Sequence, residues 1–413
     1  MRNGDNRRQT VAIMFGGRSV EHEISIITGL QLIKALDVVK YAPLPLYIAP
    51  SGKWYAGDAL LDRQFYRNMP ASFDLVDEVT LLPQPGVNGL TVVRPKAKSR
   101  ADSGYSLQSE NRVIPVDVFF VSFHGTFGED GCIQGLLELA EVPYTGCGVL
   151  SAAVGMSKYH CKKLLESHGI PVLPSAMVYR EEIEEGLGRN LAAVRERVMN
   201  TESLDHFPLF VKPGNLGSSI GISKADDEAQ LDAALMKVFK YDYCAIIEPC
   251  LDNKLEMNVS VLEDLEPQAS VVEIPVSSSD QGLSYEDKYM RGGGGKKTGP
   301  ASQGMASLTR VIDPIDLSPQ IKETARDYAV RAFKALGCAG VARIDFMLDL
   351  QKNVLYFNEI NTLPGSLAFY LWMNSHPPVL YTDMLTKMIV RAQGRHDRKL
   401  SLHREIGFKA LFK

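Results

Sequence analysis

Arg343, Asp345, Glu359 and Asn361 are the residues whose types and spacing point most directly to chemistry. They lie in two short runs, Val341 to Leu348 and Val354 to Asn361. In the first run the even positions Ala342, Ile344, Phe346 and Leu348 are apolar, so the two-residue period of a strand puts Arg343 and Asp345 together on the opposite face. Leu350 to Asn353 reads as a turn. An antiparallel register with Asp345 opposite Glu359 also sets Arg343 opposite Asn361. Two carboxylates and an amide oxygen are hard ligands, and Mg²⁺ is usually held by one or two carboxylates together with phosphates and water. The set suits a metal-bound nucleotide such as Mg-ATP. A hairpin with one solvated face is the plainer alternative. Against it, the same period places Glu359 and Asn361 on one face with Leu355 and Phe357, which predicts a strand running from core into a cleft.

Two glycine-rich segments add to this. Lys212-Pro-Gly-Asn-Leu-Gly-Ser-Ser-Ile-Gly221 offers backbone N–H groups, hydroxyls and a cation, the parts that cradle phosphates. It is no Walker A loop, because its lysine precedes the glycines and it joins strand to strand. Taken alone it reads equally well as a tight hairpin. Gly16-Gly-Arg-Ser-Val-Glu21 follows a strand's carboxyl end, where ligands bind in open α/β sheets, but it lacks the dinucleotide fingerprint G-x-G-x-x-G. Glu21 near a helix N-terminus is ordinarily a partner of the helix dipole; the functional alternative is a carboxylate that receives a substrate ammonium.

These residues need a framework to hold them. Val11 to Phe15 predicts a buried strand, followed by a helix from about Glu21 to Leu36 with Ser19 as its cap. A second strand, Val116 to Phe123, leads through His124-Gly125 into a helix over Gly131 to Ala140, giving an α/β first third. Pro83 to Asn111, rich in Pro, Gly, Ser and charge, reads as a surface excursion between them. The middle reads as α+β: a helix over Ser157 to Ser167, then strands Leu209 to Lys212, Ile220 to Ser223 and Ala245 to Glu248. Glu256 to Leu262 opens the last region. Arg291 to Pro300 is a glycine and lysine tract whose place after Tyr285 to Tyr289 suits a closing lid as well as a flexible linker.

At 413 residues the chain is long enough for two or three domains and a sizeable cleft. Net charge is −4, and the Lys and Arg residues are dispersed, which argues against a polynucleotide partner. The apolar run Val11 to Phe15 is too short for a signal-peptide core, and no stretch is long enough to span a bilayer. Six cysteines are scattered with no C-x-x-C pair, so neither a zinc site nor a disulfide framework is expected. The expectation is a reduced, cytoplasmic protein.

Gly16 to Ser25, His124-Gly-Thr-Phe-Gly-Glu-Asp-Gly131, Lys212 to Gly221, Arg343-Ile-Asp345 and Asn358-Glu-Ile-Asn-Thr-Leu-Pro-Gly365 occur in an order that resembles the D-alanine–D-alanine ligase family of the ATP-grasp superfamily. The resemblance runs from about Val11 to about Gly394. It implies an α/β and α+β chain with the ATP-grasp fold: a Rossmann-like N-terminal substrate domain over 1–156, then two subdomains, 157–252 and 253–413, that clamp ATP. It implies that Lys158 and Lys212 contact the phosphates, that Glu248 and Glu256 hold adenine and ribose, and that Cys250 and Leu251 line that pocket. Ser218, Ser219, Lys288, Phe346 and Asn358 complete the nucleotide set. Asp345, Glu359 and Asn361 would ligate two Mg²⁺ ions, with Mn²⁺ a substitute. Glu21 would bind the first amino acid's ammonium with His124 nearby, Ser218 would position the substrates, Tyr289 would close the lid with Lys288, and Arg343 would stabilise the reacting carboxyl. The implied partners are ATP, D-alanine and a second copy of the chain in a homodimer, with neither nucleic acid nor membrane.

One segment departs from the resemblance. Where a Ser/Thr-rich stretch is usual after Pro364-Gly365, this chain has Ser366-Leu-Ala-Phe-Tyr-Leu-Trp372, and Tyr370 falls at the place of a serine that holds the second substrate's carboxylate. The implied reaction is ATP-dependent joining of two D-alanine molecules through an acylphosphate for peptidoglycan precursors. Joining D-alanine to D-serine, D-lactate or another acceptor is the alternative.

Overall fold

Three sheets organise the residues that the computed structural model describes, 7–96, 112–183, 191–217, 220–276 and 310–403. The first contains β1 (Gln9–Gly16), β2 (Tyr41–Ile48), β3 (Trp54–Ala56), β4 (Asp77–Thr80), β5 (Gly89–Arg94), β6 (Val113–Pro115) and β7 (Val118–Val121), in spatial order β6-β5-β4-β3-β2-β1-β7. β1 runs parallel to both β2 and β7, and its apolar run Val11 to Phe15 is wholly buried, as a strand covered on both faces should be. The helix α1 (His22–Ala35) lies against it. A Cβ at Gly29 would come within 2.6 Å of Phe15, so glycine is what lets this helix approach the sheet. The helices α2 (Arg63–Arg67), α3 (Cys132–Leu139) and α4 (Val149–Met156) complete this part.

Two expectations need correction here. α1 starts at His22 and no side chain caps it; Ser19 Oγ instead accepts the Glu21 N–H at 3.1 Å and donates to the His124 carbonyl at 2.6 Å, tying two loops together. The stretch from Pro83 is also not all excursion. Gly89–Arg94 pairs with both β4 and β6 and buries Leu90 completely, because its Leu-Thr-Val-Val core can pay into a sheet despite polar flanks. Residues 97–111 lie outside the described residues.

The helix α5 (Lys158–Ser167) leads into the second sheet: β8 (Ala176–Tyr179), β9 (Leu209–Pro213), β10 (Ser223–Ala225) and β11 (Cys244–Pro249), in order β10-β9-β11-β8 and antiparallel throughout. The helices α6 (Leu191–Met199) and α7 (Glu228–Val238) cover one face, packing Val198, Leu231 and Leu235 on Leu209, Val211 and Ile247. The strand expected at Ile220 starts three residues later, after Gly221 at φ 77°, a conformation that favours glycine.

The third sheet has β12 (Lys254–Leu262), β13 (Gln268–Pro275), β14 (Arg310–Ile312), β15 (Val341–Asp349) and β16 (Val354–Asn361), in order β14-β13-β12-β15-β16. The helix α8 (Pro319–Ala335) turns Ala325, Ala329, Ala332 and Phe333 onto its apolar face, meeting Ile344, Phe346 and Leu348. Burial of each such large side chain contributes roughly 1.5–3 kcal/mol. After α9 (Phe369–Met373), the terminal helix α10 (Tyr381–Leu400) crosses back to the first sheet, where Met384, Leu385, Met388 and Ile389 share a core with Val11, Ile13 and Leu32. No described helix is long and apolar enough to cross a membrane.

Candidate active site

The hairpin β15–β16 has the register expected from its sequence: Asp345 pairs with Glu359 and Arg343 with Asn361. Its second strand differs from simple alternation. A β-bulge shifts the register after the Asp345–Glu359 pair, so that Phe346 lies opposite Phe357 and Asn358 is the extra residue. Phe357 therefore stays in the core, its ring 6.4 Å from that of Phe346, while Glu359 and Asn361 turn to the other face. The expectation that Phe357 and Glu359 share a face is thus wrong, and so is the assignment of Phe346 to the nucleotide site. Phe346 is 1% exposed under α8, and Met347 holds the position on the Asp345 face.

The polar face extends across the sheet. Glu273 of β13, Asn258 of β12, Asp345 and Glu359 lie side by side in one row. Arg343 donates to Asp345 twice, from Nε at 2.7 Å and from Nη2 at 2.8 Å, and Asn361 Nδ2 donates to Asp345 Oδ2 at 3.1 Å. Lys158, at the start of α5, reaches Glu359 at 3.2 Å and donates to the Leu216 carbonyl at 2.6 Å. It thereby links the Glu359 carboxylate on β16 to the glycine loop after Lys212.

Lys212 is likewise held on two sides, donating to Glu248 Oε2 at 2.7 Å and to Asn358 Oδ1 at 3.1 Å. The bulge is what brings Asn358 there. Lys162, four residues after Lys158 and so on the same side of α5, donates to the other oxygen of Glu248. Both Lys162 and Glu248 are 1% exposed. Burial pushes the Glu248 carboxyl up, but the two lysines outweigh it and hold the group down at about 2. Glu248 is here the shared counter-ion of two lysines. Glu256 lies across from Met347 and pairs with Lys254 at 3.4 Å, and Cys250 and Leu251 sit in the connection between β11 and β12.

Glu21, at the head of α1, is buried. A Cβ on Gly125 would stand 2.8 Å from its Oε2 and one on Gly217 3.5 Å from it, so the first sheet's two loops and the glycine loop converge on this carboxylate. His124 meets Thr28 Oγ1 through Nε2 at 2.9 Å. Burial pushes its imidazole below its ordinary value, against the pull of Glu21. Glu129 accepts N–H groups from Gly125 at 2.7 Å and Leu363 at 3.0 Å; burial, helped by Glu21, lifts its carboxyl to about 8.

Of the expected site residues, Glu21, His124, Lys158, Lys212, Glu248, Arg343, Asp345, Asn358, Glu359 and Asn361 are brought together by these contacts. Ser218, Ser219, Lys288 and Tyr289, with the glycine tract 292–295, lie outside the described residues. Lys162, Glu129, Asn258 and Glu273 were not expected. The spacing of Lys158 and Lys162 on one helix, and the alternation Glu256-x-Asn258-x-Ser260, were the available signals. Among the described residues no three His, Cys, Asp or Glu side chains form a metal-binding cluster. Two carboxylates and an amide oxygen on one strand pair nevertheless fit a hard divalent cation that completes its shell with phosphate and water, and Arg343 and Lys158 show that these oxygens already gather positive charge.

Two family models match the chain: that of the D-ala D-ala ligase N-terminus over residues 10–147, and that of the D-ala D-ala ligase C-terminus over residues 164–390. The chain is 34% identical over 396 residues to a D-alanine–D-alanine ligase of Heliobacterium modesticaldum, covering 95% of this chain and 96% of that one. It is 35% identical to D-alanine–D-alanine ligase A of Bradyrhizobium diazoefficiens, covering 95% and 97%. Among solved structures it resembles the D-alanine-D-alanine ligase from Coxiella burnetii, with a TM-score of 0.73, 27% identity and coverage of 95% and 96%. It also resembles the VanG D-Ala:D-Ser ligase from Enterococcus faecalis, with a TM-score of 0.72, 28% identity and coverage of 94% and 100%.

Proposed function

The chain belongs to the D-alanine–D-alanine ligase family of the ATP-grasp superfamily, and from that membership we propose how its residues divide the work of ATP-dependent ligation. The reaction is the joining of two D-alanine molecules to D-alanyl-D-alanine, ADP and phosphate, for peptidoglycan precursor synthesis. The observation that carries this reading is the row Asp345–Glu359 with Asn361, hemmed by Arg343, Lys158 and Lys212 and facing loops that converge on Glu21.

Lys158 and Lys212 supply fixed cations for phosphate oxygens, and the glycine loop between them adds backbone N–H groups. Both lysines are pre-positioned by carboxylate and amide partners, so little reorganisation is needed when phosphate arrives. Asp345, Glu359 and Asn361 would hold two Mg²⁺ ions, or Mn²⁺ in their place. Such ions, when bound, neutralise phosphate oxygens and so lower the barrier to phosphoryl transfer. Glu21 receives the ammonium of the first D-alanine and leaves its carboxylate to take the γ-phosphoryl group of ATP. The acylphosphate so formed is attacked by the amine of the second D-alanine, and phosphate departs. Arg343, fixed by Asp345, faces the negative charge that grows on the reacting carboxyl. Ser218, Lys288 and Tyr289 position substrates and lid, and the lid keeps water from the acylphosphate. Glu248, Glu256, Cys250 and Leu251 border the adenosine.

The same reading divides the chain at 156 and 252 into a substrate domain and two nucleotide-clamping subdomains, pairs it as a homodimer and locates it in the cytoplasm, where six free thiols suit reducing conditions. Phosphate release with Mg-ATP and D-alanine, alone and with D-serine or D-lactate, tests it, each product being identified by mass. D-alanyl-D-alanine from D-alanine alone is expected; no D-alanine-dependent release would overturn the reading.

A further inference from the structure

We propose that Glu129 is a positioning residue of the ligation, a carboxyl bracket that fixes the loop after the metal strand against the loop beside Glu21. The proposal rests on the ligase reading above. Glu129 gives one oxygen to each side: Oε2 accepts the Gly125 N–H at 2.7 Å and Oε1 accepts the Leu363 N–H at 3.0 Å, across 234 residues of chain. Neither end of the bracket is remote from the chemistry. Leu363 is two residues beyond Asn361, where β16 ends, and Gly125 is packed on the Glu21 carboxylate.

Two neighbours reinforce the same junction. Ser366 Oγ donates to Gln31 Oε1 at 2.7 Å, and Thr28 Oγ1, which His124 Nε2 contacts at 2.9 Å, accepts the Ser366 N–H at 3.4 Å. The segment from Leu363 to Ser366 is thus held at three points by α1 and the loop after β7. Ser366, Leu367 and Ala368 all have φ near 50°, a left-handed turn that non-glycine residues adopt only when their surroundings impose it. The bracket is part of what imposes it.

The reaction needs this spacing. The ammonium subsite belongs to the first sheet and the phosphoryl site to the third, and an error of about 1 Å between them costs on the order of a hundredfold in rate. With both oxygens given to backbone N–H groups, Glu129 acts through the loops rather than on substrate. Burial and the nearby Glu21 push its carboxyl up, while the two N–H groups it accepts pull it down.

Glu129→Gln and Glu129→Leu, compared with the wild-type chain, test the bracket by phosphate release, D-alanine calorimetry and thermal melting. Gln keeps one acceptor oxygen and Leu none. A fall in kcat of about tenfold for Gln and more for Leu, with KM for ATP within about twofold and Gln melting near wild type, is expected. Wild-type kcat and D-alanine affinity in both variants would overturn the bracket alone, as would losses that follow only the unfolded fraction. Absence of D-alanine-dependent turnover in the wild-type chain would overturn the ligase reading itself.

Discussion

Arg343 and Asp345, two residues apart on β15, are joined by two parallel hydrogen bonds, Nε to Oδ1 at 2.7 Å and Nη2 to Oδ2 at 2.8 Å. A planar guanidinium can make this fork and an ammonium cannot. Arg343→Lys should therefore keep the charge but lose its aim, lowering kcat by about tenfold or more. Phosphate release at saturating ATP and D-alanine measures it, and an unchanged kcat would remove Arg343 from the reacting carboxyl.

Glu359 sits opposite Asp345 and within 3.2 Å of Lys158. Glu359→Gln should abolish turnover at ordinary Mg²⁺ by weakening the metal's ligand set, with partial recovery at high Mg²⁺. A Mg²⁺ titration of phosphate release is the check, and wild-type activity in this variant would cancel the metal assignment.

Glu248 is the shared anion of two buried lysines. Glu248→Gln strands Lys162 without its partner carboxylate, and breaking a buried pair in this way costs roughly 3–5 kcal/mol. Denaturant unfolding should show that loss, and adding Lys162→Met should restore part of it because the stranded charge is then gone.

Tyr370 does not present a hydroxyl free for substrate. It donates to Glu273 Oε1 at 3.2 Å, and Arg310 lies 3.9 Å over its ring. Asn258 and Arg310 also bond Glu273, so Tyr370→Phe leaves that carboxylate satisfied. The expected cost is about 1 kcal/mol of stability with the acceptor profile unchanged. A shift in acceptor preference among D-alanine, D-serine and D-lactate would show instead that this hydroxyl touches the second substrate.

Glu129 also makes a prediction about pH. Its carboxyl rises from an ordinary 4.5 to about 8 in the folded chain, so between these values the folded state binds more protons than the unfolded one. Stability then falls as pH rises through that window. Glu129→Gln lacks this contribution, so the stability of the wild type relative to the variant should decline from acidic to alkaline buffer. Melting curves of both across the window test the sign.

Much of the site was legible because its logic is local. Alternation along β15 fixes Arg343 and Asp345 on one face, and a four-residue turn fixes the pairing with Glu359 and Asn361; both are consequences of strand geometry. The order of short motifs similarly suffices for the family. What the sequence could not decide depends on partners far along the chain. The bulge at Asn358 reverses the face of Phe357 because a core under α8 accepts one ring and Lys212, 146 residues away, donates to the amide oxygen. Glu129 reads as one more acid in a loop until Leu363 arrives beside it, and Lys162 as one more helix lysine until β11 brings Glu248. Periodicity says which way a side chain leaves its own strand or helix; only packing the sheets together decides what it meets, and burial makes that meeting obligatory for a charged group.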